Sequence, residues 1–193
     1  MGVRGIIRFG QLIDNHLPDI DGLYIGGGFP ELYLTELEAN HSLRGDIAQA
    51  IEAGLPVYAE CAGLMYLCRG IRAHDKLHEM VGIIPSEVEI CQKPQGHGYV
   101  EVEISDQNPL FPIGLTLRGH EFHHSRLSQL AGLRFAYQMR RGQGIDGKVD
   151  AIIYRNVLAA YTHLHALGVP QWAEAFVSLA LRERTSEPSF SKS

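Results

Sequence analysis

The feature that most constrains the fold is segment 23–71, in which short apolar runs alternate with glycine or cysteine turns and helical patterns. The first run, residues 20–25, is rich in β-formers and stops at Gly26-Gly27-Gly28-Phe29-Pro30, where no strand continues. Ser42 is a predicted N-cap, and apolar residues then recur at helical spacing until Gly54, in the position of a C-cap glycine. These patterns predict a strand, a glycine loop and a helix.

A second strand and a second helix are indicated after Gly54. The run Pro56-Val57-Tyr58-Ala59 predicts a buried strand, and Cys61 stands at the turn that ends it. A helix face is then indicated by four apolar residues at helical spacing, namely Leu64, Leu67, Cys68 and Ile71. Strand, loop, helix, strand, turn and helix in this order are typical of a parallel α/β sheet flanked by helices.

The middle of the chain has a different pattern. Residues 99–104 and 115–118 alternate strictly between apolar and polar side chains, which predicts half-exposed strands of a small antiparallel excursion. Strand patterns resume at residues 151–154 and 157–161, before an amphipathic helix around residues 172–181. We therefore expect an α/β fold with a mostly parallel sheet.

Length and charge are those of one ordinary globular domain. The 193 residues allow a sizeable core, and we expect the domain to span residues 1–183, with a polar tail at 184–193. The net charge of −5, with acidic and basic residues interleaved, does not build the basic field that nucleic acid or an anionic membrane surface requires. No apolar run approaches the roughly 20 residues that span a bilayer, so we expect a cytoplasmic protein.

Two sequence strings have the spacing of a phosphate-binding or a metal-binding motif, but their context argues against both kinds of site. Gly142-Gln143-Gly144-Ile145-Asp146-Gly147-Lys148 has the spacing of a P-loop, but Val149 replaces the metal-binding Ser or Thr, so we predict a turn between strands. His120-Glu121-Phe122-His123-His124 satisfies His-Glu-x-x-His without helical periodicity around it, which makes a zinc peptidase a minority hypothesis. The three cysteines, Cys61, Cys68 and Cys91, are an odd number and have no Cys-x-x-Cys spacing. We therefore predict that they are reduced thiols.

Cys61 is a candidate nucleophile. A free cysteine is more often a small buried hydrophobe, but here it follows the strand of residues 57–60 directly. Ala62 and Gly63 supply the small residues of a sharp strand-to-helix elbow, and the helix start would place backbone N–H groups near the sulfur to hold an oxyanion.

His163 is the candidate base. It follows the late strand of residues 157–161, whose carboxyl end would lie on the same sheet edge as Cys61 and the glycine loop. Five other histidines have no such setting, and we predict surface or local hydrogen-bonding roles for them: His16, His41, His74, His78 and His97.

Four motifs in the same order along the chain resemble the glutaminase half of cobyrinic acid a,c-diamide synthase. The resemblance extends from about residue 21 to about residue 177, and segments between the motifs, such as residues 96–102, also resemble the family. The four motifs are the glycine-loop segment 21–31, YAECAGLMYL at 58–67, the histidine-rich segment 118–125 and the segment 160–165.

The resemblance implies a class I, triad-type glutamine amidotransferase domain with a flavodoxin-like sheet. It implies that Cys61 is the nucleophile and His163 the general acid and base. The implied oxyanion hole consists of Gly27, Gly28 and the backbone N–H of Ala62. The segment that would border the glutamine pocket contains Arg118, His120, Glu121 and His124.

The implied substrate is glutamine, hydrolysed through a thioester on Cys61, and the ammonia would amidate cobyrinate or hydrogenobyrinate. The ATP-binding synthetase domain of the family would be on a separate chain or lost. ATP and Mg²⁺ belong to that domain, so we expect no cofactor and no metal in this chain. The sequence does not decide whether the chain forms a homodimer. The alternative function is a non-catalytic remnant or binding subunit beside the synthetase.

Two departures from the family pattern raise structural questions. Many class I amidotransferases carry His-x-Glu, but His165 stands in the third place here, which leaves a Cys-His dyad or a carboxylate such as Glu121 or Glu60. Residues 5–9 resemble the second strand of the family's sheet, so we expect the first strand to be missing. That strand is central in a flavodoxin-like order, and its absence would leave a gap.

Overall fold

The computed structural model of the chain describes residues 5–186. Besides a 3-10 turn at Pro30–Leu32, the elements are, in chain order, β1 (Leu23–Ile25), α1 (Leu34–Ala39), α2 (His41–Glu52), β2 (Val57–Glu60), α3 (Ala62–Leu67), β3 (Cys68–Ala73), β4 (Lys76–Glu79), β5 (Ile84–Ile90), β6 (Gly96–Ile104), β7 (Thr116–His123), β8 (Ser125–Ser128), β9 (Arg134–Arg141), β10 (Val149–Tyr154), β11 (Val157–Ala160) and α4 (Gln171–Ser186).

A seven-stranded sheet with the order β1-β2-β11-β10-β9-β6-β7 forms the centre of the molecule. Strands β1, β2 and β11 are parallel, whereas β10, β9, β6 and β7 continue the sheet with antiparallel pairings. The predicted α/β class is confirmed, and the antiparallel part is larger than the small excursion that the sequence indicated. The carboxyl ends of the three parallel strands share one edge, where ligands bind in open α/β folds.

Side-chain alternation along β2 separates the two helical layers. Val57 and Ala59 belong to the core that contains Ile47 of α2, whereas Tyr58 belongs to a second core that contains Leu179 of α4. Because successive side chains of a strand point to opposite faces, α2 and α4 cover the two faces of the parallel part of the sheet. The strand is buried over its whole length for this reason.

A second, four-stranded sheet with the order β4-β3-β5-β8 lies next to the site edge. Strand β8 starts one residue after β7, and the connecting His124 accepts a backbone hydrogen bond from Cys91 N at 2.6 Å. The two sheets are therefore joined at His124, close to the carboxyl edge of the parallel strands.

The N-terminal segment corrects one prediction. Residues 5–9 form no strand, and Ile6 and Ile7 are 86% and 57% exposed. An apolar run becomes a strand only where a partner strand accepts its backbone hydrogen bonds, and none of the described strands pairs with it. The expected gap in the sheet is also absent among the described strands, because β1 pairs directly with β2 and forms an edge.

Helix boundaries differ from the predictions at three places. The N-cap of α2 is Asn40 rather than Ser42, and its side-chain oxygen accepts a hydrogen bond from Leu43 N at 3.3 Å. Helix α3 ends at Leu67, and the chain turns into β3, because Cys68 and Ile71 fill the core from a strand instead. Helix α4 continues to Ser186, so the first three residues of the predicted tail are helical and residues 187–193 lie outside the described part.

Across residues 5–186, no helix combines the length and the apolar character that a bilayer crossing needs.

Candidate active site

Cys61 occupies a strained turn between β2 and α3. Its backbone has φ 49° and ψ −98°, a conformation that residues other than glycine rarely adopt, and its N–H donates to Ala160 O of β11 at 2.7 Å. Glycine is required at position 63, because a Cβ there would lie 2.4 Å from Ile25 O. The small residues after Cys61 thus let α3 start directly against β1, and the elbow predicted from the sequence is present.

His163 lies three residues after β11 and pairs with His120 of β7. His163 N donates to His120 O at 2.8 Å, and His120 N donates to His163 O at 3.1 Å, which forms an isolated antiparallel bridge. The two imidazole rings stack with centroids 4.8 Å apart. A Cβ at residue 119 would lie 2.3 Å from His163 O, so Gly119 allows this close backbone crossing.

The glycine loop after β1 fits between the imidazole and the cysteine turn. A Cβ at Gly27 would lie 2.5 Å from His163 Cε1, and a Cβ at Gly28 would lie 3.8 Å from the Cβ of Ala62. The structure therefore brings together the residues that the sequence indicated for the nucleophile, the base and the oxyanion hole.

Glu60, the last residue of β2, is a buried carboxylate beside His163. Its oxygens accept hydrogen bonds from Leu164 N at 2.8 Å, Tyr24 Oη at 2.8 Å and Tyr58 Oη at 3.1 Å. The Nδ1 atom of His163 lies 3.7 Å from Glu60 Oε2. Sequence reasoning gave Glu60 only as one of two carboxylates, because its partners come from β1 and from the segment after β11.

The electrostatics of the site favour a protonated imidazole. The neighbouring side chains of Cys61 and Glu60 raise the pKa of His163 to about 9, against the opposing effect of burial. Burial alone would raise the pKa of Glu60, but the neighbouring His163 and the hydrogen bonds from Leu164 N and Tyr24 hold it below its usual value. Burial and the neighbouring His163 lower the pKa of His120.

The four residues predicted to border the glutamine pocket separate into two groups. The ring of His120 stacks on His163, and His124 lines a cleft beside Gly28. Arg118, whose side chain is 83% exposed, pairs with Glu101 at 3.0 Å instead. It borders an outer groove that it shares with His120 and His165.

The side chain of Glu121 is buried and is held by a turn. The carboxylate accepts hydrogen bonds from Gln143 N at 2.7 Å and Gly144 N at 2.8 Å, and it lies 3.6 Å from the imidazole of His123. The P-loop-like string is thus a turn between β9 and β10, as predicted, and the anion at its backbone N–H groups is the protein's own carboxylate.

The His-Glu-x-x-His string lies largely in β7, which gives it strand rather than helix geometry. Among residues 5–186, no group of three or more histidine, cysteine or acidic side chains is arranged to hold a metal ion. His120 stacks on His163 and Glu121 binds a turn, so two members of the string have structural partners.

Two depressions lie on either side of Phe122. A narrow cleft of about 30 Å³ on the cysteine side is lined by Gly28, Glu31 and His124, among others. A wide groove of about 700 Å³ lies on the outer side of His120 and includes the exposed ring of Tyr99. Sequence reasoning missed Glu31, although its position directly after the glycine loop and Pro30 was a usable signal.

Comparison with known proteins agrees with this geometry. The sequence profile of the CobB/CobQ-like glutamine amidotransferase domain matches residues 4–170. The chain belongs to this family. The resemblance stated from the four motifs is thereby confirmed, and the edge with Cys61 and His163 is the candidate active site of a glutamine amidotransferase domain.

Curated relatives of this amidotransferase domain are longer proteins. A cobyrinate a,c-diamide synthase of Magnetococcus marinus is 42% identical over 182 residues, which are 94% of this chain and 39% of the relative. One from Methanothermobacter thermautotrophicus is 40% identical over 171 residues, 89% of this chain and 37% of the relative. The chain therefore spans well under half the length of the relatives that it matches.

Solved structures show the same fold at low sequence identity. PurLQS from Thermotoga maritima superposes with a TM-score of 0.64 at 16% identity, over 89% of this chain and 82% of the other. A glutamine amidotransferase crystal structure gives a TM-score of 0.61 at 17% identity, over 83% and 79% of the two chains.

Proposed function

We propose that the chain is the glutaminase half of an ATP-dependent a,c-diamide synthase that acts on cobyrinate or a related tetrapyrrole carboxylate such as hydrogenobyrinate. The observation that carries the proposal is the meeting of a strained cysteine turn, an imidazole and a glycine loop at one sheet edge. The names of the relatives support the choice of acceptor. The reaction would take place in the cytoplasm, where corrinoid amidation has ATP and glutamine at hand.

In the first step, Cys61 attacks the side-chain carbonyl of glutamine. The proton that the thiol loses resides on His163, whose raised pKa keeps the imidazole charged at neutral pH. The backbone N–H groups of Gly28 and Ala62 would hold the oxyanion, and the position of both residues beside the cysteine turn supports this role. A tetrahedral intermediate forms with the carbon bonded to sulfur.

In the second step, the intermediate collapses and the C–N bond breaks. The imidazolium of His163 protonates the departing nitrogen, which leaves as ammonia and leaves a thioester on Cys61. Water then attacks the thioester, with the neutral imidazole as its base, and glutamate is released. Both half-reactions need the same imidazole near the same sulfur, and Cys61 is the neighbour that most raises the pKa of His163.

The cleft on the cysteine side, about 30 Å³ in this structure, would bind the amino-acid end of glutamine once its lining side chains move apart. It is lined by Gly28 of the glycine loop and by Met65, one helical turn after Cys61, so it leads to the reacting carbonyl. The carboxylate of Glu31 and the imidazole of His124 also line it, and they would bind the α-ammonium and, through a ring N–H, the α-carboxylate.

The acceptor half of the reaction requires a carboxylate activated by ATP, with Mg²⁺ to neutralise its phosphates. We assign these to a synthetase domain beyond the present chain, in keeping with the share of the relatives that the chain spans. The work of this chain is then to release ammonia where the synthetase can take it up.

The proposal is tested by labelling with a diazoketone analogue of glutamine, with and without a candidate synthetase. We expect covalent modification at Cys61, located by peptide mass spectrometry, and its loss in Cys61→Ser. Cys91→Ser is the matched control, because Cys91 is a partly exposed thiol that does not line the cleft, and it should label at Cys61 as the wild type does. Absence of labelling in both conditions would contradict the proposal and favour a non-catalytic remnant.

A further inference from the structure

Glu60 is a charged group buried at the end of β2. The residue is 4% exposed, and burying a carboxylate costs free energy unless donors compensate for the lost water. Leu164 N, Tyr24 Oη and Tyr58 Oη supply three donors. The remaining neighbour within ion-pair distance is His163, the residue that the reaction depends on.

Glu121 and His165 leave this place to Glu60. Glu121 is held by the turn at Gln143 and Gly144. His165, which stands two residues after His163, is exposed and accepts a hydrogen bond from Leu167 N at 3.2 Å with its Nδ1 atom. A carboxylate at that position is therefore replaced by a side chain that points to solvent.

The geometry points to Glu60 as the residue that positions His163, through an Nδ1–H directed at Glu60 Oε2, so that Nε2 faces the sulfur of Cys61. The inference rests on the proposed glutaminase function and deepens it. The distance of 3.7 Å is longer than a hydrogen bond, and such contacts tighten when substrate fills the site. A carboxylate in this position fixes the tautomer of the imidazole and stabilises its protonated form.

The surroundings of Glu60 keep its carboxylate in one orientation. Tyr24 donates to Oε2 and Tyr58 donates to Oε1, so the two hydroxyls hold the group from both sides. The indole of Trp172 packs edge-on against both phenol rings, with centroid distances of 5.5 and 5.3 Å. A carboxylate that cannot rotate is able to hold its partner ring in one orientation as well.

The nucleophile and its positioning group would then be neighbours in sequence. Glu60 ends β2 and Cys61 forms the turn, so the strained backbone at Cys61 sends the two side chains in different directions. The imidazole reaches between them from β11, the next strand in the sheet. One strand end thus supplies both groups that flank the imidazole.

The test compares Glu60→Gln and Glu60→Asp with the wild type. We expect Glu60→Gln to lower kcat for glutamine hydrolysis by about 10²–10⁴-fold with KM changed by a few-fold at most. The pKa of His163, followed by NMR of its ring and assigned with a His163→Gln sample, should fall in Glu60→Gln. Glu60→Asp keeps the charge and should restore part of the pKa shift and part of the rate.

Glu52→Gln is the matched control, because Glu52 also accepts a hydrogen bond from a tyrosine, Tyr154 Oη at 2.5 Å, but at the opposite end of the strands. It should change neither kcat nor the pKa of His163. An unchanged pKa in Glu60→Gln, or a loss confined to KM, would overturn the inference. If Glu60→Gln does not fold, Glu60→Asp decides instead, and a folded Asp variant that loses kcat while the pKa of His163 is unchanged overturns the inference.

The NMR measurement separates this inference from the proposed function. If the wild type releases no glutamate and takes no label, the proposed function fails, while the pKa of His163 still reports whether Glu60 holds the imidazole. If the wild type is active and Glu60→Gln retains both rate and pKa, only the inference about Glu60 fails.

Discussion

The imidazole of His163 occupies the space that a side chain at residue 27 would need, since a Cβ there would lie 2.5 Å from His163 Cε1. The backbone at Gly27 does not require glycine, because its φ lies outside the left-handed region. Glycine is needed at this position because the imidazole ring fills the space of a Cβ. The steric role of Gly27 can therefore be tested separately from the role of the loop's backbone N–H groups.

Gly27→Ala is therefore expected to displace His163 and to lower kcat/KM for glutamine by at least about tenfold, a loss typical of small misplacements in active sites. The overall fold should persist, because the loop lies at the sheet edge. Gly28→Ala is the comparison variant, since its Cβ would make an ordinary 3.8 Å contact with Ala62 and the backbone N–H is retained. Steady-state kinetics that show equal losses in the two variants would contradict this explanation.

The raised pKa of His163 predicts how stability depends on pH. Between the ordinary value of 6.5 and about 9, the folded chain holds a proton that the unfolded chain has released. The stabilisation from this group is fully present below pH 6.5 and is lost as pH rises through about 9. The difference in free energy of unfolding between wild type and His163→Gln should thus be larger at pH 6 than at pH 10, as measured by urea unfolding.

A difference that stays constant over this range would show that the imidazole titrates near its ordinary pKa. Cys61→Ala gives an intermediate case, because it removes the first cause of the shift and keeps Glu60. Its pH dependence should be weaker than that of the wild type and should move to lower pH.

Sequence reasoning located the cysteine, the imidazole and the glycine loop because each has a local signature at a strand end. Two small residues directly after Cys61 indicate the turn, and three glycines after a run of β-formers indicate the loop. The partner of the imidazole has no such signature. Glu60 reaches Leu164, 104 positions later in the chain, and only the pairing of β2 with β11 brings them together.

The errors in the fold prediction have similar causes. Residues 64–71 have helical spacing, but Gly70 approaches His78 O so closely that a Cβ would lie 2.6 Å away, which fits a strand pair rather than a helix. Residues 5–9 are apolar enough for a strand, yet pairing depends on a neighbour that local pattern cannot supply. Burial of Glu121 was equally invisible, because its donors come from a different turn.

A buried carboxylate on β10 fixes the end of β11 just before His163. Asp150 accepts hydrogen bonds from Tyr161 N at 3.0 Å, Thr162 N at 2.8 Å and Thr162 Oγ1 at 2.7 Å. Asp150→Asn leaves one side-chain oxygen for three donors, so we expect a loss of about 2–4 kcal/mol in unfolding free energy and a lower kcat. Thr162→Val removes one donor and should cost about 1 kcal/mol.

Urea unfolding measures both losses, and glutaminase assays at a temperature where both variants are folded measure the effect on kcat. If Asp150→Asn were as active and as stable as Thr162→Val, the carboxylate would not be holding the strand end. A rise in KM without a change in kcat would likewise contradict a role in placing His163.

The resemblance implies that Glu121 borders the glutamine pocket, whereas its hydrogen bonds give it a role in holding a turn. Its carboxylate holds the turn at Gln143 and Gly144, and Gly142 is needed there both for its φ of 108° and because a Cβ would lie 2.9 Å from Glu121 Oε1. Burial alone would raise its pKa, but His123 and the two N–H groups hold it below the usual value. Its stabilisation is therefore present above about pH 4.5 and is lost as pH falls through the lowered pKa.

Glu121→Gln should consequently cost about 1–3 kcal/mol in unfolding free energy at neutral pH and increase amide exchange at Gln143 and Gly144, while KM for glutamine changes by a few-fold at most. A side chain that bound glutamine would give the opposite pattern, with KM raised strongly and exchange at the turn unchanged. Glu31→Gln is the matched comparison, because Glu31 lines the cleft beside Gly28 and its loss should raise KM without opening the turn. Hydrogen exchange and steady-state kinetics on the two variants decide which carboxylate faces the substrate.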